Sequence, residues 1–148
     1  MRMKITYILT AALAIALTGE VSADQTLSTA QVARVTVDEL SMRRAELESA
    51  LPDFPRSSLA RRTTGTATVE ILVGRDGAVK TISITSAPDQ AIADAVNKAV
   101  SQWRFLPVEV GHGAERHTVD TDVTLTFFFR TDAAGKGLVT RPLSDPEK

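Results

Sequence analysis

The sequence predicts an α+β domain: a small mixed sheet of three strands with one main helix on one face, preceded by a shorter N-terminal helix. Three observations carry this. Thr66–Val73 and Thr118–Arg130 alternate apolar and polar residues with period two, the pattern of strands with one buried face. Asp76-Gly77 stands between the first of these and a second apolar run, Val79–Ile84, as a tight hairpin requires. Ile92, Val96, Ala99 and Trp103 then recur at helical spacing before the last strand begins.

The elements follow in order. Arg2 and Lys4 precede an apolar run from Ile5 to Leu17, and Val21-Ser22-Ala23 ends it with small residues. This is the three-part pattern of a secretory signal peptide, residues 1–23, with cleavage expected after Ala23. The apolar run is about 13 residues, short of the roughly 20 that span a bilayer. Export from the cytoplasm is therefore expected. Retention of the segment as an inner-membrane anchor facing the periplasm is the alternative, and the only route to membrane association. Residues 24–51 form a polar lead and then a helix. Thr36-Val37-Asp38-Glu39 has the form of a capping box, Leu40, Leu47 and Leu51 follow at helical spacing, and Pro52 ends the helix.

The domain proper is expected over residues 52–130. Pro52 and Pro55 hold their neighbours extended, with Phe54 between them as an anchor on the core. Arg56–Arg62 can form a short helical turn. In the first strand Ala67, Val69, Ile71 and Val73 share a face. In the return strand Val79 is out of phase with Ile82 and Ile84, which predicts a bulge or a strand start between them. Ser86-Ala87-Pro88-Asp89 supplies helix-start chemistry, and Pro107 stops whatever helix remains. Gly111–His117 reads as a polar loop. In the third strand Val119, Thr121, Val123, Leu125, Phe127 and Phe129 share one face, with Asp120, Asp122, Thr124 and Thr126 on the other. Residues 131–148, with two glycines and two prolines, read as a flexible tail.

Connection geometry sets the sheet order. The hairpin pairs the first two strands antiparallel. The helix returns along the sheet, so the third strand runs parallel to the second and, by a right-handed crossover, lies beside the first. The order is 2-1-3, which leaves Thr118–Phe129 at an edge.

Composition narrows the function. The 148 residues carry 17 Lys+Arg against 18 Asp+Glu, a net charge of −1, which opposes nucleic acid as a partner. There is no cysteine, so disulfides, thiolate catalysis and Cys-type zinc sites are excluded. His112 and His117 sit on a predicted loop without metal-site spacing, and no metal or cofactor is expected. Ser57 and Ser58 lack a glycine elbow and a paired histidine. Asp89 and Asp94 read as a helix start and a solvated face. No catalytic constellation emerges, and the chain is not expected to be an enzyme. Arg104, between Trp103 and Phe105, is expected to stack on an aromatic ring or tie the strand's acidic groups. Phe128 stands on the face opposite its two neighbours, under the N-terminal helix or the tail or as an exposed patch for a partner or a second copy.

Several of these segments together resemble the C-terminal domain of TonB energy transducers. Pro52-Asp53-Phe54-Pro55 is similar to the Pro-x-Tyr-Pro element that opens that domain, and Gly65 falls at the family's spacing. Val69-x-Ile71-x-Val73-x-x-Asp76-Gly77-x-Val79 resembles its hairpin, and Ala99-Val100-x-x-Trp103-Arg104-Phe105-x-Pro107 resembles its helix end. The resemblance covers Pro52 to Phe129. It implies a periplasmic protein-binding module linked to energised transport across the outer membrane. Its partner would be an extended segment of a TonB-dependent outer-membrane receptor or another envelope protein, added to the edge strand through Val119, Thr121, Val123, Leu125, Phe127 and Phe128. Self-association through the same edge, as a structural or assembly domain, is the alternative. The family's proline-rich spacer is missing between Ala23 and Pro52, where a fully extended chain would reach at most about 100 Å.

Overall fold

The computed structural model describes residues 34–142. The expected signal peptide, nearly all of the expected lead and the last six residues lie outside them. Among the described residues, no helix is long and apolar enough to cross a membrane.

Chain order is β1 (Arg34–Thr36), α1 (Glu39–Arg43), β2 (Glu46–Glu48), α2 (Arg56–Ala60), β3 (Gly65–Val73), β4 (Val79–Ser86), α3 (Gln90–Val100), β5 (Arg104–Phe105), β6 (Val108–Val110), a 3-10 turn (Gly113–Glu115), β7 (His117–Thr131) and β8 (Gly137–Thr140). The main sheet runs β1-β7-β3-β4, with β6 and β8 also on β7, and β2 pairs with β5 in a separate ribbon. The three strands expected from alternation are β3, β4 and β7. β3 is antiparallel to both neighbours.

The core lies between the sheet and α3. Odd positions of β3 and β7, from Ala67 to Val73 and from Val123 to Phe129, meet Ile92, Val96 and Val100 of the helix. Trp103 and Phe105, just past the helix, close one end: the Trp103 ring lies 5.9 Å from Phe127 and 6.1 Å from Phe105. Asp89 caps α3 through a 2.9 Å bond from the Ile92 amide, and it also accepts from the buried Ser58 hydroxyl at 2.7 Å and from Arg61. These donors hold its carboxyl below the usual range, the Ile92 amide first.

Two expectations are corrected. The helix expected up to Leu51 is a single turn capped by Asp38, not Thr36. Leu40, Leu47 and Leu51 are 39%, 60% and 48% exposed, so they form no buried stripe, and Met42 is the residue that enters the core. Chain on either side of that turn takes extended structure instead, as β1 and β2. The tail expected after residue 130 is not loose through Thr140. Asp132 accepts from the amides of Ala134 and Lys136, and the tight turn it makes returns β8 along the end of β7. The segment after Pro107 contributes β6, which also pairs with β7.

Candidate functional site

A sheet can recruit an extended partner only at an edge whose amides and carbonyls are free. Two hydrogen bonds settle which way each residue of β7 faces. The Asp122 carbonyl accepts from Val37 at 2.9 Å, and the Thr126 amide donates to Glu39 at 3.0 Å. Both point away from β3. Backbone direction alternates along a strand, so even-numbered residues of β7 face outward and odd-numbered ones face β3.

The outward side of β7 is occupied along most of its length. Val108–Val110 pairs with His117–Val119, Arg34–Thr36 lies parallel on Asp120–Asp122, the Glu39 carboxylate takes the Thr126 amide, and Gly137–Thr140 pairs with Phe128–Thr131. Asp120 and Asp122 belong to this closure. Asp122 pairs with Arg34. Asp120 lies 3.1 Å from Lys80 Nζ and accepts from the Arg75 amide at 3.2 Å; Lys80 is the main cause that lowers its pKa.

The opposite end of the sheet is different. The β3–β4 register shifts at Lys80 and at Thr85, and Thr81–Ile84 between the two bulges is regular. Carrying the alternation from β7 through β3 directs Thr81 and Ser83 toward β3, and Ile82 and Ile84 outward. No strand follows β4 in the sheet, and among the described residues Ile82 and Ile84 bond nothing on that side. Beside this edge a groove of about 470 Å³ separates β4 from α3. Ile84, Thr85, Gln90, Ala93, Asp94 and Asn97 are among its lining residues.

Residues 50–130 match the family model described as Gram-negative bacterial TonB protein C-terminal. The chain belongs to the TonB C-terminal family. One solved structure, the solution NMR structure of the Pseudomonas aeruginosa TonB CTD, is 26% identical to it over 59% of this chain and 85% of that chain, with a TM-score of 0.48. No curated protein matches the chain. TonB C-terminal domains are periplasmic, non-enzymatic protein-interaction modules of Gram-negative bacteria.

The residues that carry the TonB resemblance do packing work. Phe54 stands edge-on to Phe129 at 5.4 Å, and Pro55 precedes α2. Asp76 accepts from the Ala78 amide at 3.1 Å. Gly77 has φ 81°, and a Cβ there would lie 1.9 Å from the Phe105 carbonyl, so the hairpin and the strand after α3 can approach only through glycine. A Cβ on Gly65 would lie 2.9 Å from Pro88. Trp103 Nε1 donates to the Ala50 carbonyl at 2.9 Å. Arg104 departs from its expected role: its guanidinium donates to the Trp103 carbonyl at 2.8 Å. Pro107 lies in the connection from β5 to β6.

The expected TonB-type partner edge is also corrected. Val119, Thr121, Val123, Leu125 and Phe127 are all at most 1% exposed, their side chains turned inward and not toward a partner. Phe128 is half-buried on the outer face, with the Arg130 guanidinium 5.4 Å from its ring centroid. Segments before and after the TonB-like core have taken the free side of this strand. Sequence reading missed the residue that secures them. Arg141 donates to Glu39 at 2.9 Å and to Glu46 at 3.0 Å, and its guanidinium sits 4.8 Å from the Trp103 centroid.

Proposed function

We propose that the chain is an envelope protein-interaction module. It would bind an extended segment of an outer-membrane receptor, or of another envelope protein, by strand addition in the service of transport across the outer membrane. The observation that carries this reading is membership of the TonB C-terminal family over residues 50–130. It is supported by a sheet whose longest edge strand, β4, has no neighbour on its outer side among the described residues. Strand addition draws its affinity from main-chain bonds, which suits a domain whose described residues converge on no catalytic group. Export through the signal-peptide pattern of residues 1–23 would deliver it to the periplasm.

Calorimetric titration of the chain with synthetic peptides from the extended N-terminal segments of outer-membrane receptors tests the reading. Saturable binding to at least one such peptide is expected. An absence of binding to all of them at concentrations on the order of 1 mM refutes it, since even weak specific pairing is visible there.

A further inference from the structure

Exposed sheet edges are normally defended by charge, proline, bulges or a covering segment. In this protein β7 has its outer side covered, and the acidic groups beside it are neutralised within the fold. β4 has the opposite character. From Thr81 to Ser86 it reads Thr-Ile-Ser-Ile-Thr-Ser, without charge or proline. The one charged side chain within the strand, that of Lys80, is drawn away to Asp120. The two bulges bracket this stretch and leave Thr81–Ile84 regular.

We infer that the β4 edge, together with the groove between β4 and α3, is the binding site for an extended peptide with small aliphatic residues at alternate positions and a basic residue beside them. This rests on the strand-addition reading above and gives it a location and a ligand chemistry. Ile82 and Ile84 each present one amide and one carbonyl outward, four main-chain groups spaced to pair with alternate residues of an incoming strand. Their side chains lean on the core, so the incoming residues on the same face enter the groove against Ile84 and the buried Ala93. Ile84 and Ala93 give the groove a small apolar floor within a lining that is otherwise mainly polar, which suits small aliphatic side chains. Its lining residues carry two carboxylates, Asp89 and Asp94, and no Lys or Arg. Asp89 is spent on Ser58, Arg61 and the helix start. Among the described residues Asp94 accepts only from the exposed Gln90 amide, at 2.8 Å, which leaves it able to take a cation. A second copy of this chain fits the edge less well, because two-fold pairing brings the Asp94 carboxylates of both copies toward one junction.

The test uses the full exported chain, 15N-labelled, titrated with the synthetic peptide acetyl-Lys-Val-Thr-Val-Lys-Val-amide. Two isomers serve as controls, each N-methylated at one of the two alternating sets of amides. Amide shifts should concentrate on Ile82, Ile84, Ala93 and Asn97, one methylated isomer should lose about tenfold or more in affinity, and the other should bind like the parent. Asp94→Asn should weaken the parent peptide more than one with norleucine in place of lysine. Shifts confined to Thr118–Phe128 would overturn the assignment while leaving strand addition intact. Equal binding by the two methylated isomers, or no binding at all, would overturn it as well. So would concentration-dependent self-pairing that protects Ile82 and Ile84, because it would give the edge to a second copy. Receptor peptides that bind without perturbing β4 would separate the failure of this site from that of the function.

Discussion

Replacing Arg141 with Met removes the charge at the junction of three segments that sequence alone leaves unconnected. The Arg141, Glu39 and Glu46 side chains are only 9%, 10% and 9% exposed, so water does little to replace what is lost. Arg141 Nε donates to Glu39 at 2.9 Å, Nη1 to Glu46 at 3.0 Å, and Nη2 lies 2.8 Å from the other Glu46 oxygen. Glu39 also holds the Thr126 amide, so its position governs the closure of β7. Methionine keeps much of the volume and its contact with Trp103, but leaves two buried carboxylates without their shared cation. Breaking a buried pair from one side costs about 3–5 kcal/mol. Loss of the cation's attraction to the Trp103 ring adds to this, and relaxation of the chain end subtracts, so about 3 kcal/mol is expected. With a urea slope of about 1.5 kcal/mol/M for a domain of this size, the midpoint should fall by about 2 M. Adding Glu46→Gln to Arg141→Met should return about 1 kcal/mol by relieving carboxylate repulsion, whereas Arg130→Met on the exposed outer face should cost under about 0.5 kcal/mol. A fall of less than about 0.5 M for Arg141→Met, or strict additivity with Glu46→Gln, would refute the reasoning.

Other perturbations probe the remaining parts. Thr121 carries a buried hydroxyl without a hydrogen-bond partner among the described residues, so Thr121→Val should leave stability unchanged or raise it by about 1 kcal/mol, read by calorimetry. Gly77→Ala combines a positive φ with a Cβ against the Phe105 carbonyl, and should cost at least about 2 kcal/mol or prevent folding, read by circular dichroism. Asp89→Ala removes the α3 cap and strands the buried Ser58 hydroxyl, for about 2–3 kcal/mol in urea unfolding. Because the folded-state pKa of Asp89 lies below its unfolded value, its contribution is complete above about pH 4 and is lost as the pH falls through the folded value. The wild-type chain should therefore lose more stability than Asp89→Asn on acidification below about pH 4.

What was legible in the sequence was what repeats. Two long alternations, one hairpin glycine and one helical stripe place β3, β4, α3 and β7, because each buries a periodic face against the same core. Asp76-Gly77 and the out-of-phase Val79 locate the turn and its bulge. The short pieces escaped because they have no period to read. β1 is three residues, two of them exposed at the ends, and β8 is four residues in a segment of tail-like composition. Both form because β7 offers unpaired backbone, a long-range cause with no local signature. Leu40, Leu47 and Leu51 misled for the complementary reason: their helical spacing is real, but no core surface stands opposite them. The candidate site moved for the same cause. Alternation identified β7 as a sheet strand, yet only the placement of β1, β6, Glu39 and β8 shows that most of its outer side is occupied while the long edge of β4 stays open among the described residues.

Amide hydrogen exchange of the free chain measures that difference directly. Slow exchange is expected at the outward amides of Thr126, Phe128 and Arg130, held by Glu39 and β8, and near-unprotected exchange at Ile82 and Ile84. Rapid exchange at Thr126, Phe128 and Arg130 together with protected Ile82 and Ile84 would contradict it, returning the open edge to β7.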